Sequence, residues 1–432
     1  MSTTVFLLAE LLGVWAAIQA AMGLIYLVIF HATAVRLARR PPKKSFPSAA
    51  ILLSLRGADE ELPVSLHRFM SQDYPDYELH IVVDSRKDPA WKVVQEAAAA
   101  HPSARVIVST LAERPTKCSP HCASLSQAAE SAQACEVVAL ADGDVVAHPA
   151  WLRTLVTALD DERVGMSHGN RWYLPEDAGW GSLVRYLWNT AAVVGMYFFH
   201  IPWGGSCAMR MKDVREAGII EAWRTTLNQD NPAKICLERV KKQVRFVPLL
   251  MMPNRDTISL SVCREFLARQ LTWTRIYNPR AVWTLLVLHG WGTAAVQFLL
   301  LPAGVVAALQ GDFAVAKVAA ASLGGYVLFC VVMTIALEHA ARRVMRLQGA
   351  ETSWVTPRAL WRFPAAIFLT QWTYCAALFS ASFRRRISWR NVTYEIGGPW
   401  KNLVVSDLAV AAEPSGSTRR PHVHKKKQVD KR

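Results

Sequence analysis

The fold class follows from one stretch of sequence, AAILLSLRGADEELPVSLHRFMSQDYPDYELHIVVDS (residues 49–85), whose hydrophobic periodicity changes twice. AAILLSL (49–55) is a continuous apolar run, which is typical of a strand buried on both faces of a parallel sheet. The next stretch, ELPVSLHRFMSQD, repeats its apolar residues at helical spacing, and YELHIVVDS (77–85) is again strand-like. This order predicts a βαβ unit with two parallel strands.

Helical and strand-like stretches go on alternating after this unit. AWKVVQEAAAAH and HCASLSQAAESAQ are predicted helices, whereas ARVIVS and EVVALADGD (136–144) are predicted strands. The rhythm predicts an α/β domain over residues 46–254, with a Rossmann-like parallel sheet and helices on both of its faces. Ligands of such sheets bind beyond the carboxyl ends of the strands.

Acidic residues stand at two of these predicted strand ends. Asp84 follows the apolar residues IVV, and Asp142 and Asp144 follow VVAL. Two carboxylates in an Asp-x-Asp arrangement are hard oxygen ligands that suit Mg²⁺ or Mn²⁺, and such an ion would bridge to a nucleotide diphosphate and stabilise its departure. Because surface turns also favour Asp and Gly, an ordinary turn is the alternative interpretation.

A third acid, Asp230, precedes another predicted helix. It is interpreted either as a helix N-cap or as a general base that takes a proton from an acceptor hydroxyl. Upstream, HIPWGGSCAMR (200–210) contains Gly204 and Gly205, which would allow a ligand to approach the backbone closely or would simply form a tight turn.

The composition indicates a soluble domain joined to a membrane portion. The 432 residues are 52% hydrophobic with a mean hydropathy of +0.15, yet 19% of them are charged, which does not suit a pure channel or transporter. The formal net charge of +15 favours anionic partners such as lipid headgroups or a phosphorylated substrate. No basic stretch is interleaved with an aromatic nucleic-acid-binding motif, so nucleic acid is not an expected partner.

The eight cysteines are scattered along the chain, and reduced thiols facing the cytosol are the preferred interpretation. One cluster, CSPHC (118–122), contains two cysteines and a histidine and hints at a metal site. No second ligand pair stands at the spacing of a zinc site, so zinc is the disfavoured alternative.

Residues 1–34 are predicted to anchor the chain in a membrane. The run 5–30, about 26 residues with one acid, is long enough to cross a hydrocarbon core, and it lacks the basic start of a signal peptide. RLARRPPKK (36–44) follows as a cationic collar, which the positive-inside rule places in the cytoplasm. The α/β domain is therefore expected on the cytosolic face of a bacterial inner membrane, plasma membrane or equivalent.

A second membrane region is predicted over residues 281–383. Apolar runs at 281–309 and 313–337 are separated only by QGD and should form a helical hairpin. The run 359–383 is ambiguous, because a single crossing would leave RRRISWR (384–390) outside, against the positive-inside rule. The sequence leaves open whether this run spans the membrane, re-enters it or lies on it.

Residues 384–432 are predicted to be a cytosolic basic tail. From about residue 411 the sequence is polar, basic and without apolar periodicity, which predicts disorder. The aromatic run YLWNTAAVVGMYFFHIPW (186–203) is interpreted as a buried helix of the α/β domain or as a hydrophobic entry for an acceptor beside the bilayer.

Together these blocks resemble the membrane-bound family-2 glycosyltransferases with a GT-A fold, above all the ceramide glucosyltransferases and their bacterial relatives. The likeness covers most of residues 1–400. It implies that Asp142 and Asp144 bind the metal and that Asp230 is the catalytic base. The residues that it implies in binding of the nucleotide sugar are Arg56, Gly57, Asp84, Lys117, Asp142, Arg269 and Trp273.

The resemblance implies an inverting transfer of a sugar, with glucose the first candidate, from a UDP-sugar to a lipid hydroxyl such as that of ceramide. Mg²⁺ or Mn²⁺ is the implied cofactor, and the membrane supplies the acceptor. Asp84 would hold the uridine part of the donor. Candidates for contact with the acceptor or for gating are Gly204, Gly205, Gln270 and Arg275.

One motif departs from the family pattern. The signature Gln/Arg-x-x-Arg-Trp, on a helix predicted to lie at the membrane interface within residues 255–280, here keeps Arg269 and Trp273 but has Thr272 in place of the inner arginine. Arg275 lies three positions further along the same helix, so we hypothesise that it supplies the missing charge.

Two other functions stay open at this point. A processive polysaccharide synthase shares the aspartates and the helical cap but needs a channel of more transmembrane helices. A non-catalytic protein that binds nucleotide sugar or lipid is suggested by Thr272 and disfavoured by the retained aspartates. Transport is disfavoured because charged residues do not recur in paired broken helices. The sequence does not determine the donor sugar, the acceptor lipid or the oligomeric state.

Overall fold

A computed structural model describes residues 2–39, 45–175, 177–350 and 355–408 of the chain. Its central sheet has the strand order β3-β2-β1-β4-β6-β5-β7. The strands are β1 (Ala49–Leu55), β2 (Tyr77–Val83), β3 (Val106–Thr110), β4 (Val137–Ala141), β5 (Val164–Tyr173), β6 (Ser206–Arg210) and β7 (Gln243–Asn254). The predicted βαβ unit is confirmed, since β1 and β2 pair in parallel.

The predicted α/β class is confirmed, but the sheet is mixed rather than wholly parallel. Strands β1 to β4 run parallel, whereas β6 is antiparallel to both β4 and β5. The reason is local: β6 begins at Ser206, which pairs with Ala141 at the end of β4, so it starts where β4 stops and runs back. An apolar run identifies a strand but does not reveal its direction.

Helices cover both faces of the sheet. They are α2 (Leu62–Met70), α3 (Pro89–Ala100), α4 (Pro120–Ser131), α5 (Trp151–Thr157), α6 (Trp180–Phe198), α7 (Met211–Glu216), α8 (Ile219–Trp223) and α9 (Asp230–Arg239). Successive residues of β1 point to opposite faces of the sheet, as in any pleated strand, so they pack alternately against the helices on each face. Ile51 and Leu53 pack in the cluster of α2 and α5, and Ala50 and Leu52 pack in that of α4 and α8. The continuous apolar run of β1 thus reflects burial from both sides.

The remaining elements lie at the two ends of the chain. They are α1 (Ser2–Ala38), α10 (Leu260–Tyr277), α11 (Arg280–Leu309), α12 (Phe313–Leu347), α13 (Pro357–Phe383), β8 (Arg386–Trp389), β9 (Val392–Ile396) and β10 (Asn402–Asp407). In the described part of the chain, three helices are long and apolar enough to cross a membrane: α1, α11 and α12. Most of the predicted cationic collar, residues 40–44, lies outside the described residues.

Helix α13 contacts other parts of the protein near both of its ends. Near its start, Arg362 donates to the carbonyl of Ala178 at 2.8 Å, and near its end the carbonyl of Ser382 accepts from Arg275 at 2.8 Å. Between these points Leu378 and its neighbours pack against α6 and α10. Helix α13 thus packs along α6 and α10, and it is not among the helices of the described chain that are long and apolar enough to cross a membrane.

The first part of the predicted basic tail is ordered, because β8, β9 and β10 form an antiparallel sheet. We call this the C-terminal sheet. Val404 donates to the carbonyl of Thr116 at 2.9 Å, and the Asn402 side chain donates to the carbonyl of Thr225 at 3.1 Å. Strands this short carry a weak periodic signal, and the arginines in and around β8 dominate the local composition. The disorder predicted from about residue 411 lies outside the described residues.

A buried carboxylate joins α12 to the α/β domain. Glu338 accepts from the Trp172 indole N–H at 2.6 Å and from the Tyr186 hydroxyl at 3.0 Å, and it pairs with Arg342 one turn further along α12. Glu338 and Arg342 are each 2% exposed. A buried ion pair of this kind is costly to break, because its remaining partner keeps its charge away from water.

We predict that Glu338→Ala lowers the free energy of unfolding by about 3–5 kcal/mol, since it removes a close ion-pair partner of a buried arginine and the acceptor of two buried donors. Thermal unfolding of the detergent-solubilised protein, followed by tryptophan fluorescence, measures the change. Glu395→Ala is the matched control, because Glu395 pairs with Arg386 on the surface and such pairs contribute about 0–1 kcal/mol. A Glu338→Ala protein as stable as this control would contradict the assignment.

Candidate active site

The Asp-x-Asp motif lies at the end of β4, which pairs with β6, and β5 lies on the other side of β6. Arg171 of β5 reaches both carboxylates: one guanidinium nitrogen lies 3.2 Å from Asp142, and the two nitrogens lie 2.8 and 3.0 Å from the Asp144 oxygens. The same guanidinium carbon lies 5.0 Å from the centre of a Trp203 ring, a cation–π distance. Sequence reasoning did not identify Arg171, because nothing in GNRWYLP marks it.

The charge at this site is only partly balanced. Burial and the neighbouring Asp144 raise the pKa of Asp142 to about 7, although Arg171 opposes the shift. The single guanidinium of Arg171 does not neutralise both carboxylates, so the pair keeps excess negative charge. Carboxylates are hard oxygen ligands, which fit Mg²⁺ or Mn²⁺. In the described ranges, no group of three or more His, Cys, Asp or Glu side chains could hold a metal ion, and Asp142 and Asp144 are the carboxylates that would hold one here.

Asp230 lies at the start of α9, beside the Asp-x-Asp motif. Its carboxylate accepts from the backbone N–H of Gly204 at 2.9 Å, from the Asn228 side chain at 2.8 Å and from the Asn231 backbone and side chain at 2.7 and 2.9 Å. Gln229, and not Asp230, occupies the N-cap position. Burial raises the pKa of Asp230, although these donors lower it. A carboxylate with a raised pKa suits proton transfer.

The Gly204–Gly205 turn brings the two acidic sites together. A Cβ atom on Gly205 would lie 2.3 Å from a carboxylate oxygen of Asp142, and one on Gly204 would lie 2.3 Å from the Gln229 side chain. Only glycine permits this approach, because real Cβ atoms do not come so close to other heavy atoms. The turn is therefore required for the position of Asp142 as well as for the N–H donated to Asp230.

The predicted nucleotide residues at the ends of β1 and β2 form an ion-pair network. Asp84 accepts from Arg56 at 2.8 Å and from Arg114 at 2.6 and 2.8 Å. Gly57 has a φ of +77° and donates to the Asp88 carboxylate at 3.0 Å, so it shapes the loop that carries Arg56. Arg114 was not predicted, although it lies in the same RPTKCSP segment as the predicted lysine.

Two predicted residues lie elsewhere. Lys117 is exposed and does not line the cavity described below, so Arg114 provides the cation that contacts Asp84. Arg275 donates to the carbonyls of Ser382 and Arg384 at the end of α13, at 2.8 and 2.7 Å. Helical geometry explains this difference, because the Arg275 side chain projects from α10 toward α13 and away from the cavity.

The other residues of the α10 motif are divided between the cavity and the core. Arg269, Gln270 and Trp273 line the cavity, as expected for a cap over the site. Thr272 is fully buried, and its hydroxyl donates to the Ala268 carbonyl one turn earlier at 2.7 Å. The position at which the family pattern has arginine is thus packed inside this structure.

A cavity of about 840 Å³ connects the acidic residues to the long apolar helices. At one end it contains Asp84, Asp142, Asp144 and Asp230. Helix α6, which contains most of the aromatic run 186–203, lines the cavity and also packs in the core. Its other end is lined by residues of α1, α11, α12 and α13, namely Trp15, Gln19, Met22, Leu285, His289, Phe329, Met333, Ile367, Gln371 and Tyr374.

The CSPHC cluster does not form a metal site with other described residues. Cys118 and Cys122 are buried in the hydrophobic cluster around α4, where burial raises their thiol pKa values. His121 lines the cavity instead, and burial together with the nearby Arg390 lowers its pKa to about 4. It therefore faces the cavity as a neutral imidazole at physiological pH.

Comparisons with known proteins agree with this arrangement. The family model described as Glycosyl transferase family 21 matches residues 15–400. Among solved structures, a mannosyltransferase from Pyrobaculum calidifontis, in complex with GDP-Man and Mn²⁺, is 16% identical, with 87% of this chain and 97% of that chain covered and a TM-score of 0.44. Glucosyl-3-phosphoglycerate synthase from Mycobacterium tuberculosis, in complex with Mn²⁺ and UDP-glucose, is 14% identical, with 54% and 84% covered and a TM-score of 0.35.

The family match covers nearly the whole described chain, including the acidic strand ends, α10 and the first strands of the C-terminal sheet. It confirms the predicted resemblance to the ceramide glucosyltransferases. The mixed seven-stranded sheet with its Asp-x-Asp motif is the predicted GT-A architecture, accompanied by long apolar helices. The chain belongs to glycosyl transferase family 21, the ceramide glucosyltransferase family, and is a nucleotide-sugar glycosyltransferase.

Proposed function

We propose that the protein transfers a hexose, with glucose the first candidate, from a UDP-sugar to the hydroxyl of a membrane lipid such as ceramide. The observation that carries this proposal is the single cavity that joins the four aspartates to α1, α11, α12 and α13. A lipid could place its chains among the apolar helices and present its hydroxyl near Asp230. A soluble acceptor without hydrocarbon chains would not fill the part of the cavity that α1, α11, α12 and α13 line.

Polar side chains in the helical part of the cavity support a sphingolipid as acceptor. Gln19 of α1, His289 of α11 and Gln371 of α13 line an otherwise apolar wall, and Gln371 also donates to the Tyr326 hydroxyl at 3.1 Å. Hydrogen-bonding groups in apolar surroundings stabilise ligands that carry matching groups. Ceramide carries an amide and hydroxyls next to its chains, whereas diacylglycerol lacks the amide.

In the proposed reaction Asp230 accepts the proton of the acceptor hydroxyl while that oxygen attacks the anomeric carbon of the donor. The bond from this carbon to the diphosphate breaks, and UDP leaves with the electron pair. A single displacement of this kind inverts the anomeric configuration. When bound by Asp142 and Asp144, Mg²⁺ or Mn²⁺ would supply positive charge to the leaving diphosphate. Arg269 and Trp273 would close the cavity over it.

The proposal includes a membrane location with the α/β domain in the cytosol. Three long apolar helices support membrane association, and the basic residues on both sides of α13 support the cytosolic face. The alternative of a processive polysaccharide synthase is less well supported, because a polymer channel needs more spans than the three that the described chain offers. A non-catalytic role is opposed by Asp84, Asp142, Asp144 and Asp230 lining one cavity.

We predict that the wild-type protein in lipid nanodiscs converts UDP-glucose and ceramide to glucosylceramide and that Asp230→Asn lowers the rate by about 10²–10⁴-fold, the range for loss of a general base. Product formation is measured by mass spectrometry, and UDP affinity by calorimetry should stay within about threefold of the wild type because the variant keeps the shape of the side chain. Absence of glycolipid with every UDP-sugar offered would reject the proposed function. Diacylglycerol in place of ceramide tests the choice of acceptor.

We predict that the rate of transfer falls with decreasing pH through a pKa above about 4, the ordinary value for aspartate. Asp230 must be ionised to accept a proton and burial raises its pKa, so activity is present above the folded-state pKa and is lost below it. Asn231→Ala removes a donor that lies 2.9 Å from the carboxylate and lowers its pKa. This variant should therefore move the acid limb of the pH–rate profile to higher pH. An unmoved limb would show that another group controls it.

We predict that Gly205→Ala lowers kcat/KM by about 100-fold, the effect expected when a catalytic group moves by about 1 Å. The added methyl would lie 2.3 Å from an Asp142 carboxylate oxygen and 2.6 Å from the Trp203 ring, so the carboxylate must shift. Gly324→Ala in α12 is the matched control, because nothing lies within 4 Å of its Cβ position. Equal activity in the two variants would remove the steric requirement at Gly205.

A further inference from the structure

The active site needs positive charge for the donor diphosphate, and α10 provides less of it than the family pattern does. Thr272 replaces the inner arginine and is buried with its hydroxyl bonded to Ala268. Arg275 is engaged at the end of α13. Arg269 is thus the arginine that α10 directs into the cavity.

A second guanidinium enters the cavity from the C-terminal sheet. Arg390 lies in the turn between β8 and β9, and both it and Trp389 line the cavity. The indole of Trp389 has two arginines near it: the guanidinium carbon of Arg390 lies 5.5 Å from its ring centre and that of Arg269 lies 5.9 Å from it.

The backbone at this turn is unfavourable for arginine. Arg390 has a φ of +46° and Asn391 a φ of +63°. Two-residue hairpin turns with both central residues at positive φ favour Asn-Gly or Gly-Gly, because a Cβ atom is strained there. The chain nevertheless keeps a long cationic side chain at the first position. Retention of such strain often accompanies a function of the side chain.

The turn is also held in place before any ligand arrives. Arg390 donates to the Arg56 carbonyl and pairs with Asp59, and the Arg56 side chain donates back to the Arg390 carbonyl at 3.0 Å. At the other edge of the C-terminal sheet, Asp407 accepts from Arg56 at 2.8 Å. Because Arg56 also contacts Asp84, this network fixes the turn relative to the predicted nucleotide site.

We propose that Arg390 binds the diphosphate of the nucleotide-sugar donor and supplies the positive charge that α10 lacks at Thr272. The inference rests on the proposed function for its choice of donor. The ligand it predicts is a nucleoside diphosphate held between Arg390, Arg269 and the Asp142–Asp144 site. In the free protein Asp59 neutralises the guanidinium of Arg390. When the donor binds, its diphosphate replaces Asp59 as the partner of that guanidinium.

The test is Arg390→Gly, which removes the guanidinium and suits the positive φ of the turn. We expect the Kd for UDP, measured by calorimetry with Mn²⁺, to rise about 10- to 100-fold, as for loss of one charge-assisted hydrogen bond. The Kd for uridine, which lacks the diphosphate, should not change. The thermal unfolding midpoint should stay within a few degrees of the wild type.

Two further variants separate ligand binding from a structural role. Arg386→Ala removes an exposed arginine of the same sheet and should leave the Kd for UDP unchanged. Asp59→Asn breaks the ion pair but keeps Arg390, so UDP should bind as tightly as to the wild type or more tightly. Unchanged UDP affinity in Arg390→Gly, or equal loss of UDP and uridine affinity, would overturn the proposal. A wild-type protein that binds UDP but glycosylates no lipid would reject the proposed function. The assignment of Arg390 to the diphosphate would still hold.

Discussion

Four carboxylates converge at one edge of the sheet, and their mutual repulsion is the constraint that the surrounding structure must satisfy. Each acid has its own compensation: Arg171 for the Asp-x-Asp motif, Arg56 and Arg114 for Asp84, and N–H donors for Asp230. The compensation at the Asp-x-Asp motif is incomplete, as the raised pKa of Asp142 shows. A site that keeps excess negative charge after folding favours a divalent cation, and the cation in turn favours a diphosphate.

The membrane-side elements are attached to this edge through few but buried contacts. Glu338 fixes α12 to β5 and α6, and α13 is held by α10 and by the loop before α6. These attachments close the walls of the cavity between the acidic edge and the apolar helices. In the proposed function, this arrangement would let a nucleotide enter from water and a lipid from the bilayer.

The largest differences from the sequence-based expectations occur at the C-terminal end of the chain. Residues 384–432 were predicted as a basic tail with disorder from about residue 411, yet β8, β9 and β10 build a sheet that contacts Thr116, Thr225 and Arg56. Contacts of this kind join residues more than 150 positions apart, and local composition carries no information about them. Lys117 and Arg275 do not line the cavity for a related reason, because a motif gives the position of a residue in the chain and not the direction of its side chain.

The sequence by itself determined the βαβ rhythm, the acidic strand ends, the long apolar helices and the resemblance to ceramide glucosyltransferases. These features are local, since periodicity and motif spacing depend on neighbouring residues. Only the tertiary structure decided that β6 runs antiparallel, that α13 lies along the α/β domain, and that Arg171, Arg114 and Arg390 face the acids. Charge compensation acts through space, so the cations that balance the site come from strands and turns distant in the chain.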